Sequence, residues 1–181
     1  MAIKTFTTGE VLTAADTNTY LANSGLVFVK SQTIGSAVSN VTVTGAFSST
    51  YDDYKIIVSG GSSSSSQPME MQFGTTNTGY NYSLVYATYS TGTVTAASGS
   101  NASSLRFIGN TVTGSILCNI EVGSPNLPTT TKVNAGYFDA TNAGQTNGFV
   151  NNTSQYTSFV LFPSSGTMTG STITVYGYRK A

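Results

Sequence analysis

Glu10, Asp16, Asp52, Asp53, Glu70, Glu121 and Asp139 are the side chains of this chain with carboxyl chemistry to offer. Two carboxyl groups facing each other across a sugar are enough for glycoside hydrolysis. Asp52 and Asp53 are adjacent, but neighbours on a strand point to opposite faces. They read instead as punctuation of the turn before the strand YKIIVSG. No Asp-rich loop of calcium-ligand spacing occurs. There is no histidine, so the commonest general base and the commonest metal ligand are both missing. Ser-His-Asp and Cys-His catalysis are excluded with it. The single cysteine, Cys118, forms no intramolecular disulfide and reads within SILCNIEV as a small buried hydrophobe. No Walker motif and no G-x-G-x-x-G is present. We therefore expect no enzyme activity, no cofactor and no metal.

What remains for recognition is aromatic. Tyr80, Tyr82, Tyr86 and Tyr89 lie on or near one strand. Alternation puts Tyr80, Tyr82 and Tyr86 on one face and Tyr89 on the other. Aromatic rings stack on sugar faces, and a tyrosine keeps a wet hydroxyl at its tip. The four tyrosines are thus candidates for a receptor contact to carbohydrate, for a subunit interface, or for the core. Asn-x-Ser/Thr triplets begin at Asn40, Asn81, Asn101, Asn151 and Asn152. In a chain so rich in these residues they arise by chance.

Composition narrows the partners. Charged residues make up 8% of the 181, and seven basic residues cancel seven acidic ones. That disfavours a phosphate-seeking patch for nucleic acid and attraction to an anionic membrane. The polar remainder is mostly Ser, Thr, Asn and Gly, which suits a rigid β protein on a particle surface. No stretch is long and apolar enough to insert in a membrane as a helix. The first residues, MAIKTFTTGEV, lack the hydrophobic region of a secretory signal. For a protein that works outside a cell, assembly in the cytoplasm and release on lysis is one route that fits these observations.

The elements that must position these residues are nearly all strands. The exception is an N-terminal helix expected over about residues 14 to 23. Thr13 and Asp16 form a capping-box-like start, and Gly25 supplies a stop. A helix so short is marginal by itself in water. Val11, Leu12, Tyr20 and Leu21 are its apolar residues for docking, on its own domain or on another chain. From Leu26 the apolar period becomes two. It places Val41 with Val43, Tyr54 with Ile56 and Val58, Met69 with Met71 and Phe73, and Leu105 with Phe107. Further on it places Ile116 with Cys118, Ile120 and Val122, and Val133 with Ala135 and Tyr137. TSFVLF is apolar on both faces, as a central strand is. The Ser62–Ser66 run reads as a flexible loop tip. Nine or ten short strands without crossover helices argue for an all-β fold, an antiparallel, jelly-roll-like sandwich. The expected organisation is a segment over 1–25 and a β-sandwich domain over 26–181.

The opening FTTGEVLTAADTNTYLAN resembles the N-terminal segment of bacteriophage tail and fibre-like structural proteins. So does the segment carrying Phe47, Ser49, Tyr51, Asp52 and Tyr54, and so does the ending GSTITVYGYRK. The resemblance covers about the first 60 and the last 12 residues. It implies a virion component with a β-sandwich domain, commonly a homotrimer, whose other partners are virion proteins. Under it, Phe6, Val11, Leu12, Tyr20 and Leu21 would anchor or assemble the chain, and the sandwich would face outward toward host-surface glycan. A capsid decoration protein that cements the particle is the alternative.

Overall fold

The computed structural model describes residues 7–16, 25–112 and 114–180. One helical turn, α1 (Ala14–Asp16), precedes fourteen strands. In chain order these are β1 (Leu26–Thr33), β2 (Val41–Val43), β3 (Asp53–Gly60), β4 (Ser62–Ser63), β5 (Gln67–Phe73), β6 (Tyr80–Thr88) and β7 (Val94–Ala102). There follow β8 (Leu105–Val112), β9 (Ser115–Gly123), β10 (Lys132–Phe138), β11 (Asn142–Val150), β12 (Phe159–Pro163), β13 (Met168–Thr169) and β14 (Thr172–Tyr178). The chain is all-β, and every strand pairing is antiparallel.

The capping box forms as the sequence predicts. Thr13 N and Oγ1 donate to Asp16 Oδ2 at 3.1 and 2.6 Å, and Asp16 N donates back to Thr13 Oγ1 at 3.1 Å. This satisfies amides that the first turn leaves without helical partners. The rest of the expected helix, with Tyr20 and Leu21, lies outside the described residues, as does Phe6.

The architecture turns on β9. One of its edges is paired along its length with β3, from Asp53↔Gly123 to Gly60↔Ile116. The other edge is divided. Its beginning pairs with β8 (Thr111↔Ile116), and its end pairs with β10 (Val133↔Val122). Two layers leave from this fork. One is an eight-strand sheet in the order β1-β14-β3-β9-β10-β11-β6-β7. The other runs β8-β5-β12-β2 and packs against the first sheet's inner face. β12 pairs on both sides, with β2 and β5, and so is central in its layer; Phe159, Leu161 and Pro163 are buried, and Val160 and Phe162 are half-buried on the other face.

The core lies between the layers. Ile56, Val58, Ile120, Ile173 and Val175 come from the large sheet, and Met69, Met71, Phe73, Phe159 and Leu161 from the small one. All of them are fully buried. Phe47 sits among Tyr54, Phe73 and Phe159 with ring centroids 4.9 to 6.0 Å apart. The Tyr54 hydroxyl accepts from Ser48 N and donates to Ser48 O, so this buried phenol is paired at its tip.

Two expectations are corrected. Alternation over SLRFIG fails, because Ile108 is buried while Phe107 is only partly so. Phe107 has φ +64°, and between Pro68↔Asn110 and Glu70↔Arg106 strand β8 carries extra residues. This bulge turns β8 from the β9 edge into the second layer. The Ser62–Ser66 run is also not a free loop tip. Ser62 and Ser63 form β4 and pair with β13, and Ser64 N donates to Thr167 O at 2.9 Å. Serine hydroxyls and amides find partners wherever a facing strand offers them.

Gly109 fixes the fork. Its φ is +148°, and a Cβ there would lie 2.3 Å from Cys118 Sγ. Gly109→Ala is expected to lower stability by about 3 kcal/mol, from combined backbone strain and overpacking. Urea unfolding measures this. Adding Cys118→Ala to Gly109→Ala should recover part of the loss, since it removes the sulfur that the new methyl group meets.

Candidate functional site

The predicted tyrosines separate. Tyr80 is fully buried. Its hydroxyl accepts from Phe73 N at 2.7 Å and donates to Thr76 O at 2.9 Å. Burial drives its pKa up, against the smaller effect of the Phe73 amide. It is a core residue and not a receptor contact. Tyr82 and Tyr86 are half-buried on the same inner face, where β8 covers them. Tyr82 packs edge-on against Phe107 at 6.0 Å, Phe107 against Tyr137 at 5.5 Å, and Tyr137 against Tyr86 at 6.5 Å. Arg106 lies over the Phe107 ring, 5.0 Å from its centroid. This cluster cements the two layers. Tyr89 alone among the four is well exposed, at 62%.

The surface that remains is the outer face of the large sheet. Its registers align side chains into rows across strands. One row reads Ser98, Ser83, Asn147, Asn134, Glu121, Lys55, Tyr176 and Phe28, one residue from each of the eight strands. The row beside it contains Asn81, Phe149, Lys132, Gly123 and Asp53. On the other side run Ala96, Val85, Gln145 and Gly136, and then Val94, Ala87, Ala143 and Phe138. The face is therefore graded from an apolar end, through amides, to a charged and aromatic end.

An open depression of about 790 Å³ occupies the amide and charged rows. Its lining includes Asn81, Ser83, Glu121, Lys132, Asn134, Asn147, Phe149 and Tyr178. Gln145 Nε2 donates to Asn134 Oδ1, and Asn134 Nδ2 donates to Asn147 Oδ1 at 2.8 Å. The bulge of β7 holds Asn81, whose Oδ1 accepts from Ser100 Oγ and Asn101 N at 3.2 Å each. Glu121 accepts from Lys55 Nζ at 2.9 Å and from the Tyr178 hydroxyl at 2.7 Å. That bond to Glu121, with some burial and the nearby negative charges, pushes the Tyr178 phenol up to about 12. None of these outer-face residues stood out in the sequence as a site, because Asn and Ser are common throughout the chain. The signal was their placement at alternate positions of β6, β10 and β11.

Of the carboxylates, Asp53 and Glu121 line the depression, and Glu121 is taken by Lys55 and Tyr178. Among the described residues no three of His, Cys, Asp or Glu come together as a metal site. Asp52 pairs with Lys180 at 2.7 Å, and Glu70 takes Ser164 Oγ at 2.7 Å. Asp139 closes the β10–β11 turn, accepting from Thr141 N and Asn142 N at 2.7 Å. Cys118 is fully buried, and burial pushes its thiol up to about 12. Val11 and Leu12 are exposed, Val11 at 79%. No described helix is long and apolar enough to cross a membrane.

No protein family matches this chain, and no curated protein is similar to it. Solved structures show a distant likeness, among them two viral assemblies. The first is the tripod (BppUct-A-L) from the baseplate of bacteriophage Tuc2009, with 13% identity, a TM-score of 0.22, and coverage of 99% of this chain and 79% of that one. The second is the VP2 subviral particle of infectious bursal disease virus, with 8% identity, a TM-score of 0.16, and coverage of 84% and 40%. At these values neither likeness bears on what the chain does.

Two measurements follow from the ionisable groups. Cys118 is expected to resist a thiol-specific disulfide reagent at pH 8 in the native protein and to react at once in denaturant, because only the thiolate attacks. The Tyr178 phenol is favoured neutral in the fold. Its contribution is therefore complete below the unfolded value of about 10 and is lost as pH rises through about 12. Tyr178→Phe should remove one late step from the alkaline tyrosinate absorbance titration, and its stability deficit should close over that window.

Proposed function

We propose that this chain is a non-enzymatic structural protein of a bacteriophage virion, a fibre-like subunit that attaches through residues 1–25 and self-associates, as a homotrimer, through its β domain. The observation that carries self-association is the charge-free β6–β7 hairpin at one edge of the large sheet. Between Glu70 and Arg106 the sequence holds no Asp, Glu, Lys or Arg. That interval contains the whole β6–β7 hairpin, and β7 is an edge strand nine residues long.

Monomeric proteins guard such edges with lysine, proline, inward charge or a bulge. β7 has a bulge near its end and no lysine, proline or charge. Val94 on β7 and Val85 on β6 are exposed at 69% and 52%, and Phe138 on β10 ends the row that Val94 begins. Around a three-fold axis each copy presents two different patches to its neighbours, and equivalent residues near the axis come close; a surface without charge packs there without like-charge repulsion. The exposed Val11 and Leu12 support attachment, since the described residues leave them uncovered. The sequence resemblance to phage structural proteins supplies the virion context.

Light scattering tests the reading. The full chain is expected at three times its monomer mass, and Val85→Glu with Val94→Glu is expected to give a folded monomer. A full chain that stays monomeric at high concentration would remove self-association in solution. A chain beginning at Leu26 should keep its β fold but fail to enter particles. Normal incorporation of that chain would remove the attachment role of the first segment.

A further inference from the structure

We infer that the depression on the outer face is a binding site for a neutral glycan, gripped by the Asn134–Asn147 amide pair, Asn81 and Ser83 against the Phe149 ring. This names a ligand for the outward face of the proposed virion subunit, but its argument rests on the site and not on assembly.

The first observation is shape. An open trough of about 790 Å³ suits a few sugar rings laid along a surface, and it is formed by the sheet itself rather than by loops. Strand positions are held by ladders on both sides, so the polar groups are set before a ligand arrives. The second is hydrogen-bonding chemistry. Gln145 donates to Asn134, and Asn134 donates to Asn147. This directed chain fixes both asparagine amides and leaves the Asn147 NH₂ group facing solvent as a donor. Ser83 beside it both donates and accepts. Sugar hydroxyls also do both, and a row of amides and hydroxyls matches them.

The third is charge. Glu121 in the trough is paired to Lys55 at its border, and Lys132 and Asp53 add one charge of each sign. The net is zero. A polyanion would meet Glu121 and Asp53, and a polycation would meet Lys55 and Lys132. A neutral ligand meets neither penalty. The fourth is the aromatic partner. Phe149 is 40% exposed between Lys132 and Asn81 in the register. A solvent-exposed ring next to fixed amides offers the apolar face that a pyranose ring stacks on. The trough therefore takes over the role that the sequence offered to Tyr80, Tyr82 and Tyr86, whose rings are spent between the layers.

The test uses the full chain and calorimetric titration with three neutral probes, the hexasaccharides of glucose, galactose and N-acetylglucosamine, beside a hyaluronan hexasaccharide as the anionic probe. Saturable binding of at least one neutral probe is expected. Asn147→Ala and Phe149→Ala should each weaken it about tenfold, the effect of losing one fixed polar contact or one stacked ring. Both positions are exposed, and the thermal midpoint of each variant checks that the fold is intact. Tyr89→Ala, at the exposed tyrosine outside the trough, should leave binding unchanged.

Binding of no neutral probe overturns the inference. So does binding only to hyaluronan, or neutral binding that survives Asn147→Ala and Phe149→Ala or is lost in Tyr89→Ala. None of these outcomes depends on the oligomer. A chain that binds a neutral probe as a monomer keeps the site and loses the trimer, and a trimer that binds none does the reverse.

Discussion

The divided edge of β9 is the constraint on which the rest of this structure depends. Every buried backbone amide and carbonyl needs a partner. β9 meets that need with three strands, one along a whole edge and two sharing the other. Where β8 gives way to β10, the chain of β8 must bend out of the sheet at once. Gly109 permits this because it has no side chain to strike Cys118. Phe107, at positive φ, completes the bend and delivers its ring to Tyr82 and Tyr137. Both layers and the aromatic seal between them follow from that one departure.

The fork also divides the work of the molecule's surfaces. The inner faces of both layers are consumed by the core, so recognition falls to loops, edges and the outer face. On the outer face the same strands carry apolar residues at one end and amides with balanced charge at the other. These two ends suit different partners. An apolar, charge-free end is stabilised by being covered. An amide row held by its own hydrogen bonds is best served by a ligand that exchanges hydroxyl for water. Low overall charge makes both possible, since neither surface has to overcome long-range repulsion.

Much of the fold was legible in the chain. The alternation in YKIIVSG, PMEMQF, SILCNIEV and KVNAGYF names the buried residues of β3, β5, β9 and β10 correctly. The capping box at Thr13 and Asp16 was legible for the same reason, because its groups lie three residues apart. Reading failed at Leu105–Ile108, where a bulge imposed by the fork overrides local alternation. It failed again at the serine run, where strand character came from β13, Met168–Thr169, about a hundred residues away. The candidate site was the least legible part. Tyrosines drew attention as a residue type, while the asparagines that line the trough looked like background.

The sequence by itself determined which side chains face inward on the regularly alternating strands, that the chain is built of short strands, and that few of its residues carry charge. Facing is a local property, since it depends only on the period of two along a single strand. Adjacency is not. Tyr178 meets Glu121 across 57 positions, and Asn134 meets Asn147 across 13. Only the pairing of strands, with its registers and its fork, decided which exposed residues became neighbours. That decision belongs to the tertiary structure because it is set by hydrogen-bond ladders and core packing acting together over the whole chain.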